Sequence, residues 1–375
     1  MSGLPNDVLS YIVETVHNVD TQWALLTVCR QMSRLILASI YRDLSFTHDD
    51  FLEPFNGRND PKYVLVLTKL TLGAASNPNL RYTTSFYFNG ATSHDKTNHL
   101  IRAVLPFLVN LRRLGLTCPY VSPETLSPII PTTTKLTHLI LGTTHYSPSF
   151  VNLIESHPTL RVIRVYLTDR QPSGSRQQTY EGPISINAIP HIASITVPIE
   201  SVKQLGHRPT VTDACLLIAI DEPLSVEALD EVAELLPSLR AVHIPEFDDL
   251  SITASLLHRL ASVEYLRLDC PYGQTAPPDW SLLSMTKLKY LQLGDISEVG
   301  EPEDVARSIF DAIGTMVLVD LDRVEHDMLL RFCRHSRTGC RVELPTPKWQ
   351  PWRETVQENV EGACLNHEHV GLPSE

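Results

Sequence analysis

The feature that most constrains the fold is an apolar pattern that returns about every 24 residues. The pattern is apolar, two residues, apolar, one residue, apolar, and its steps are 25, 24, 32, 23, 24, 24, 25 and 28 residues. A chain with this period is expected to add one strand per repeat, because a single unit is too small to bury its apolar side alone. The nine copies begin at Leu111, Leu136, Leu160, Ile192, Cys215, Leu239, Val263, Leu288 and Met316.

Weaker copies at 67–72, 86–88 and 342–344 extend the array at both ends. The 32-residue step contains a polar stretch near 169–183, which we interpret as a loop insertion. Helical apolar spacing returns between the strands, at 100–108, 148–156, 226–236, 252–260 and 303–313. This alternation predicts an α/β fold, a right-handed horseshoe with a parallel sheet on its concave side.

These units resemble the leucine-rich repeat of F-box proteins, over residues 60–345. They depart from that pattern because no regular Asn follows the strands, and Cys118 and Cys270 stand near that place in only two units. The resemblance implies an irregular leucine-rich-repeat horseshoe that serves as a scaffold for recognition.

The first 48 residues predict a compact unit of three helices. Apolar residues recur at helical spacing from Leu4 to Val16, then over 23–28 and 32–41. Pro5 suits a first helical turn, where a missing N–H costs no hydrogen bond. So short a unit buries little surface alone, and it is expected to lean on a neighbour or a partner.

The order and spacing of these residues are similar to the F-box motif of fungal F-box proteins, in the strings LPNDVLSYI, LLTVCR and LASIYRDL. The resemblance implies a substrate-recognition adaptor of an SCF-type cullin–RING E3 ubiquitin ligase, docked onto the Skp-type adaptor. Carried over by position, the adaptor-binding residues are Leu4, Pro5, Val8, Leu9, Ile12 and Val28. The alternative is a ligase-independent scaffold whose N-terminal helices only cap the repeat array, a role that such arrays need in any case.

The predicted organisation is an F-box-like module at 1–48, a leucine-rich-repeat solenoid at 49–345, and a C-terminal segment at 346–375. Trp349 and Trp352 are expected to cap the last repeat, followed by a disordered acidic tail. In the preceding segment, Leu329, Leu330, Phe332 and Cys333 are interpreted as the buried side of a terminal helix.

Side chains between the apolar positions of each strand are expected to point onto the concave face. A basic first half and an aromatic, acidic second half suit a polar protein target, since Tyr and Arg are enriched at binding hot spots. The alternative is that these side chains serve only solubility. The predicted target-binding residues are Arg113, His138, Arg164, Tyr166, His243, Tyr265, Arg267, Asp269, Tyr290 and Gln292, with Asp320 and Asp322 beyond them.

Charge and composition exclude several classes of function. The formal net charge is −12 and the chain has no run of basic residues, which argues against nucleic-acid and anionic-membrane partners. The seven cysteines form no CxxC pair, as expected in a reducing compartment. With no predicted signal peptide or membrane span, a cytoplasmic or nuclear location is expected.

No catalytic motif is visible. The sequence has no GxGxxG, no P-loop string, no HExxH and no GxSxG. Cys364, His367 and His369 lie in the charged tail, and three such groups without a fourth are interpreted as chance proximity rather than a zinc site. We therefore predict no enzyme activity, no cofactor and no metal.

Overall fold

The structure is a computed structural model of the 375-residue chain. It describes residues 11, 21, 24–25, 27–47, 73–89, 99, 101–117, 123–130, 134–168, 182–218, 226–245, 250–269, 278–294, 301–323, 328–334 and 342–345. The chain divides into two compact units, unit 1 (Met1–Ile192) and unit 2 (Ala193–Glu375). The predictions that lie outside the described residues are the copy at 67–72, most of the 169–183 insertion, the 346–375 segment, and Leu4, Pro5, Val8, Leu9 and Ile12.

Unit 1 contains a sheet of parallel strands. These are β1 (Asp43–Thr47), β2 (Ser85–Asn89), β3 (Arg113–Leu116), β4 (His138–His145) and β5 (Val162–Thr168), each parallel to the next. Phe86, Leu114, Leu139 and Ile163 occupy one register position and are buried. The prediction of one parallel strand per repeat is therefore confirmed here, including the weak copy at 86–88.

Helix α1 (Arg30–Arg42) leads directly into β1. The Cys29 sulfur caps its first turn by accepting the Met32 N–H at 3.4 Å. Met32 and Ile36 are buried one turn apart, as the helical period requires. The helix packs on the 3₁₀ helix Pro78–Tyr82. Strand β1 ends at Thr47, so the first strand of the sheet lies within the 1–48 segment.

Further helices of unit 1 lie between the strands. Residues 101–104 are helical, followed by α2 (Pro123–Leu126) and α3 (Pro148–Glu155). Ser147 caps α3, since its hydroxyl accepts the Phe150 N–H at 3.2 Å, and Pro148 occupies the first turn. The helix predicted at 148–156 is thus confirmed, with an N-cap that its sequence encodes.

Unit 2 contains six parallel strands and an antiparallel hairpin in its described residues. The parallel strands are β6 (Ser194–Pro198), β7 (Asp213–Leu217), β8 (Ala241–Ile244), β9 (Tyr265–Asp269), β10 (Tyr290–Gly294) and β11 (Leu318–Arg323). Val242, Leu266, Leu291 and Val319 share one register position and are buried. This row of apolar side chains is the core on one side of the sheet.

The register predicted for β7 is wrong. Ala214 pairs with Ile195 and Val242, so the repeat is Val211, Ala214 and Leu216, all buried, rather than Cys215, Ile218 and Ile220. The reason is that residues 214–220 are apolar throughout and allow two overlapping patterns. Ala214 is small and only weakly apolar, so the observed pattern is less distinct in the sequence than the one that begins at Cys215.

The terminal helix predicted around Leu329–Cys333 is also wrong. Strand β12 (Met328–Cys333) pairs antiparallel with β11, and β13 (Val342–Pro345) pairs antiparallel with β12. The copy predicted at 342–344 is a strand, but it closes a hairpin instead of continuing the parallel order. Alternation of Leu330 and Phe332 with Arg331 is the period-2 pattern of a strand.

The helices of unit 2 follow the predictions closely. A short α4 (Val202–Leu205) precedes α5 (Val226–Leu235), α6 (Leu250–Arg259) and α7 (Pro302–Ala312). In α7, Pro302 occupies the first turn, and Glu303 and Asp304 favour the positive end of the helix. Each helix buries one apolar stripe, such as Val305, Ala306 and Ile309.

Hydroxyl and amide side chains link successive repeats at a fixed position, directly before the first apolar residue of the pattern. In unit 1, Thr159 donates to the Leu136 carbonyl and Asn110 to the Arg81 carbonyl, both at 2.7 Å. In unit 2, Ser262 donates to the Leu239 carbonyl and Thr315 to the Leu288 carbonyl, again at 2.7 Å. These bonds satisfy backbone carbonyls between repeats without a regular Asn after the strands.

Candidate functional site

Polar side chains of unit 2 align across neighbouring strands on the side opposite the buried leucines. The unit 2 row consists of the side chains that follow one another in register from β7 to β11. Neighbouring strands lie about 4.8 Å apart, so each member is within reach of the next. In chain order the unit 2 row is Cys215, His243, Arg267, Gln292 and Asp320.

Two members of the row form ion pairs with Asp269, near the end of β9. The His243 Nε2 lies 2.9 Å from Asp269 Oδ2, and the Arg267 Nε lies 3.1 Å from Asp269 Oδ1. The three side chains are 18%, 28% and 30% exposed, in the order His243, Arg267, Asp269. We call these three residues the His243 cluster, and it is held in place yet open to contact.

Electrostatics favour the ionised form of Asp269, and a glycine on the next strand leaves room for it. Burial raises the pKa of this carboxyl, but the hydrogen bond and charge of His243 and the charge of Arg267 outweigh burial and hold the pKa below its ordinary value. A Cβ on Gly294 would lie only 2.5 Å from Asp269 Oδ1. The glycine therefore leaves the room that the carboxylate occupies.

A second charged group of unit 2 is buried. Arg331 on β12 donates from Nε and Nη2 to the two carboxylate oxygens of Asp320, at 2.8 and 2.6 Å. The Tyr290 hydroxyl donates to Asp320 Oδ2 at 2.7 Å. Burial, then the charge and hydrogen bond of Asp320, raise the pKa of Tyr290 well above its ordinary value. We call these three residues the Asp320 cluster.

The burial of this cluster corrects the predicted target-binding set. Tyr290 is 1% exposed, Gln292 is 7% exposed and Asp320 is fully buried. The expectation that they present side chains to a target is therefore wrong. Its physical reason is the antiparallel strand β12, which brings Arg331 opposite Asp320, whereas the sequence suggested a helix there.

Tyr265 begins β9, on the same face as Arg267 and Asp269, and packs against Tyr290. Its ring centroid is 6.4 Å from that of Tyr290 at an interplanar angle of 55°, a tilted arrangement that aromatic pairs favour. Tyr265 itself is half-buried, so part of its ring remains open beside the His243 cluster. His243, Tyr265, Arg267 and Asp269 therefore lie on one face of neighbouring strands, the face on which the sequence predicts them.

Unit 1 carries a basic group on the corresponding face of its sheet. Arg113 on β3 pairs in register with His138 on β4, and Arg164 on β5 pairs with Ile140, two residues further along β4. Arg113 is exposed, and His138 and Arg164 are half-buried. The predicted residues Arg113, His138 and Arg164 are thus on neighbouring strands.

The basic surroundings of His138 favour its neutral form. Burial, followed by the charges of Arg113, Arg164 and Arg161 in that order of size, lowers the pKa of His138 from 6.5 to about 4. The Thr137 hydroxyl lies 2.9 Å from Nδ1. At neutral pH this group is therefore an uncharged imidazole surrounded by guanidinium groups.

Tyr87 was missed by the sequence reasoning. Its ring lies over Gly115 on the next strand, and its hydroxyl is 2.9 Å from the Thr117 hydroxyl. The signal was present, because Tyr87 stands between Phe86 and Phe88 at the facing position of a recognised copy. Tyr166 and Asp322 lie in β5 and β11, and only their backbone is described.

Among the described residues, no group of three or more His, Cys, Asp or Glu side chains is placed to hold a metal. Within the same residues, no helix has both the length and the apolar character needed to cross a bilayer. Cys364, His367 and His369 lie outside them.

The strands define the class of the protein. Each unit is an α/β repeat structure in which parallel strands return with the apolar period, a leucine-rich-repeat-like fold. Such folds are quasi-one-dimensional arrays that expose one strand face.

Comparison with known proteins adds one similarity. No family model matches the chain, and no curated protein matches it. Among solved structures, the chain is similar to the leucine-rich repeat-containing protein LegL7 from Legionella pneumophila, at 12% identity and a TM-score of 0.42, over 96% of this chain and 98% of that chain. The assignment of the fold rests on the strand registers, not on this similarity.

Proposed function

We propose that the chain is a protein-binding scaffold that captures a partner on the strand faces of its repeats and catalyses no reaction itself. The observation that carries the proposal is the His243 cluster, whose side chains are ordered by ion pairs while partly exposed. Such pre-ordering reduces the entropy lost on binding. The proposed target-binding set is Arg113, His138, Arg164, Tyr166, His243, Tyr265, Arg267 and Asp269.

We propose further that the N-terminal segment binds the Skp-type adaptor of a cullin–RING ligase, so that the repeats present a target for ubiquitination. Val28 supports this, because it is 65% exposed directly before α1, whereas Met32 and Ile36 are buried. Val28 is also a position that the F-box resemblance assigns to the adaptor contact. In this arrangement the chain acts as a tether that raises the effective concentration of the target.

A specific observation favours the alternative, a ligase-independent scaffold with an N-terminal cap. Helix α1 continues into β1, and its Tyr41 hydroxyl accepts a hydrogen bond from the Asn77 amide at 3.2 Å. These contacts join α1 to the repeats of unit 1, as a cap requires. Under this alternative the chain binds targets but no Skp-type adaptor.

Two variants of the full chain are expected to lose different partners. Val28→Asp places a charge in the proposed adaptor contact and should remove the adaptor while keeping targets. Tyr265→Ala with Arg267→Ala removes aromatic and charged contact area and should remove targets while keeping the adaptor. In each variant the recovery of the lost partner should fall at least tenfold, since hot-spot truncations cost about 2 kcal/mol or more. Affinity purification from cells, with quantitative mass spectrometry, measures both.

Matched controls carry similar changes elsewhere. Val109→Asp changes another exposed valine, 51% exposed, and Met285→Ala truncates a side chain that is 83% exposed. Both should retain all partners. Recovery of targets without any Skp-type adaptor would support the cap alternative. Retention of every target by the Tyr265/Arg267 variant would contradict the assignment of the unit 2 face.

A further inference from the structure

The cations on the two units differ in their internal partners. In unit 2, Arg267 pairs with Asp269 and Arg331 pairs with Asp320. In the described part of unit 1, the side chains of Arg112, Arg113, Arg161 and Arg164 form neither an ion pair nor a hydrogen bond with any described residue. Among the described residues, therefore, no carboxylate neutralises these cations of the unit 1 face.

The residue that follows the first apolar position of each repeat shows the same difference. In unit 2 this position holds Arg240, Glu264 and Lys289 in consecutive repeats, and Glu264 binds both cations, at 2.6 and 2.9 Å. In unit 1 the equivalent residues are Arg112, Thr137 and Arg161. Two cations therefore flank a hydroxyl where unit 2 has a carboxylate, in a chain whose net charge is −12.

We propose that Arg113, Arg161 and Arg164, arranged around His138, bind a carboxylate-rich segment of a partner protein. This assignment rests on the proposed function and names the chemistry of the target that the unit 1 face accepts. The segment supplies carboxylates that pair with these cations. Arg suits this role because its planar guanidinium binds a carboxylate through two parallel hydrogen bonds.

The spacing of the cations suits a segment with several carboxylates. Arg113 and Arg164 stand on β3 and β5, two strand spacings apart and offset by two residues along the strands, or roughly 12 Å between their backbones. An extended peptide places successive side chains of one face about 6.6 Å apart, so two acidic residues two or four positions apart reach both cations.

Binding of this segment is coupled to the protonation of His138. Three charged groups face His138: Arg113 on β3, Arg161 directly before β5, and Arg164 on β5. The Thr137 hydroxyl, directly before β4, lies 2.9 Å from the His138 Nδ1. A bound carboxylate neutralises these cations and stabilises the imidazolium, so the pKa of His138 rises on binding. Affinity then increases as pH falls through the raised pKa of His138 in the complex, and peptide carboxylates remain mostly ionised down to about pH 5.5.

Fluorescence anisotropy of the full chain with labelled synthetic peptides tests the proposal. The probes are a twelve-residue peptide with Glu or Asp at every second position, its Gln/Asn counterpart, and a counterpart with one phosphoserine. We expect the acidic peptide to bind, and Arg113→Gln with Arg164→Gln to weaken it at least tenfold. His138→Gln should abolish the increase in affinity between pH 7.5 and 5.5.

The control is Arg34→Gln with Arg102→Gln, which removes two exposed cations of unit 1 away from the proposed site. Its affinity should stay within twofold of the unmodified chain. An equal loss in this control, no binding of the acidic peptide, or binding of the phosphoserine peptide alone would overturn the proposal. The proposed function fails separately, if the Tyr265/Arg267 variant and the Arg113/Arg164 variant both retain every target.

Discussion

Replacing Asp320 with Ala is expected to lower the free energy of unfolding by about 3–5 kcal/mol, because it leaves the Arg331 charge buried without its partner. Asp320 is fully buried and the Arg331 side chain is 8% exposed, so water screens neither group. The substitution also removes the carboxylate that accepts the hydrogen bond of the buried Tyr290 hydroxyl, which adds to the cost. The free energy of unfolding is measured by urea denaturation of the full chain, monitored by circular dichroism.

Removing both charges is expected to cost much less than removing one. Asp320→Leu with Arg331→Met leaves no unpaired charge, and such apolar replacements of buried ion pairs are often close to neutral. Asp304→Ala is the matched control, because its ion pair with Arg307 is 71% and 70% exposed and is worth about 0.5 kcal/mol. A loss for Asp320→Ala no larger than for Asp304→Ala would contradict the buried cluster.

Replacing Gly115 with Ala is expected to destabilise the chain by about 1–3 kcal/mol. The added Cβ would lie 2.2 Å from Tyr87 Cδ2 and 2.8 Å from Cε2, so the ring must leave its place over β3. The contact between the Tyr87 and Thr117 hydroxyls is then lost as well. The change is measured as a shift of the urea midpoint.

A second substitution shows whether the ring is the cause. In the background of Tyr87→Ala, the three atoms nearest the added methyl group are gone, and Gly115→Ala should cost less than about 0.5 kcal/mol, a coupling that a double-mutant cycle measures. Gly314→Ala, where nothing lies within 4 Å of the new Cβ, should be neutral or slightly stabilising. Equal losses at Gly115 with and without Tyr87 would sink this explanation.

The apolar period predicts most strand positions, because each repeat must bury the same small set of side chains. Leu114, Leu139, Leu266 and Leu291 lie on strands as the pattern requires. The pattern fails at Cys215, where a continuous apolar run removes the contrast between the two faces. It fails again at Leu329–Cys333, because short apolar runs fit a strand and a helix equally well.

The sequence predicts which residues lie on the strand face better than it predicts which of them are exposed. Arg113, His138, His243 and Arg267 follow from strand alternation, which a single sequence contains. The burial of Tyr290 and Asp320 depends on Arg331, which reaches them only through the reversal of chain direction between β11 and β12. No local pattern encodes that reversal, so long-range pairing decides which polar residues remain open.

The charged groups on the strands are of two kinds. The Asp320 cluster is closed and satisfied, and its expected effect is on stability. The His243 cluster and the arginines around His138 are open, and their expected effect is on binding. Substitutions in the first group should change unfolding, whereas those in the second should change partner affinity at nearly constant stability.

Photo-crosslinking from defined positions tests most directly whether the strand faces hold the partner. A benzoylphenylalanine at Tyr265 or His138 reports contact on the faces, and one at Met285 reports contact beside the 3₁₀ helix Trp280–Leu283. We expect the captured target to crosslink from Tyr265 or His138 and not from Met285. Crosslinking of the same target from Met285, with none from Tyr265 or His138, would contradict the central claim.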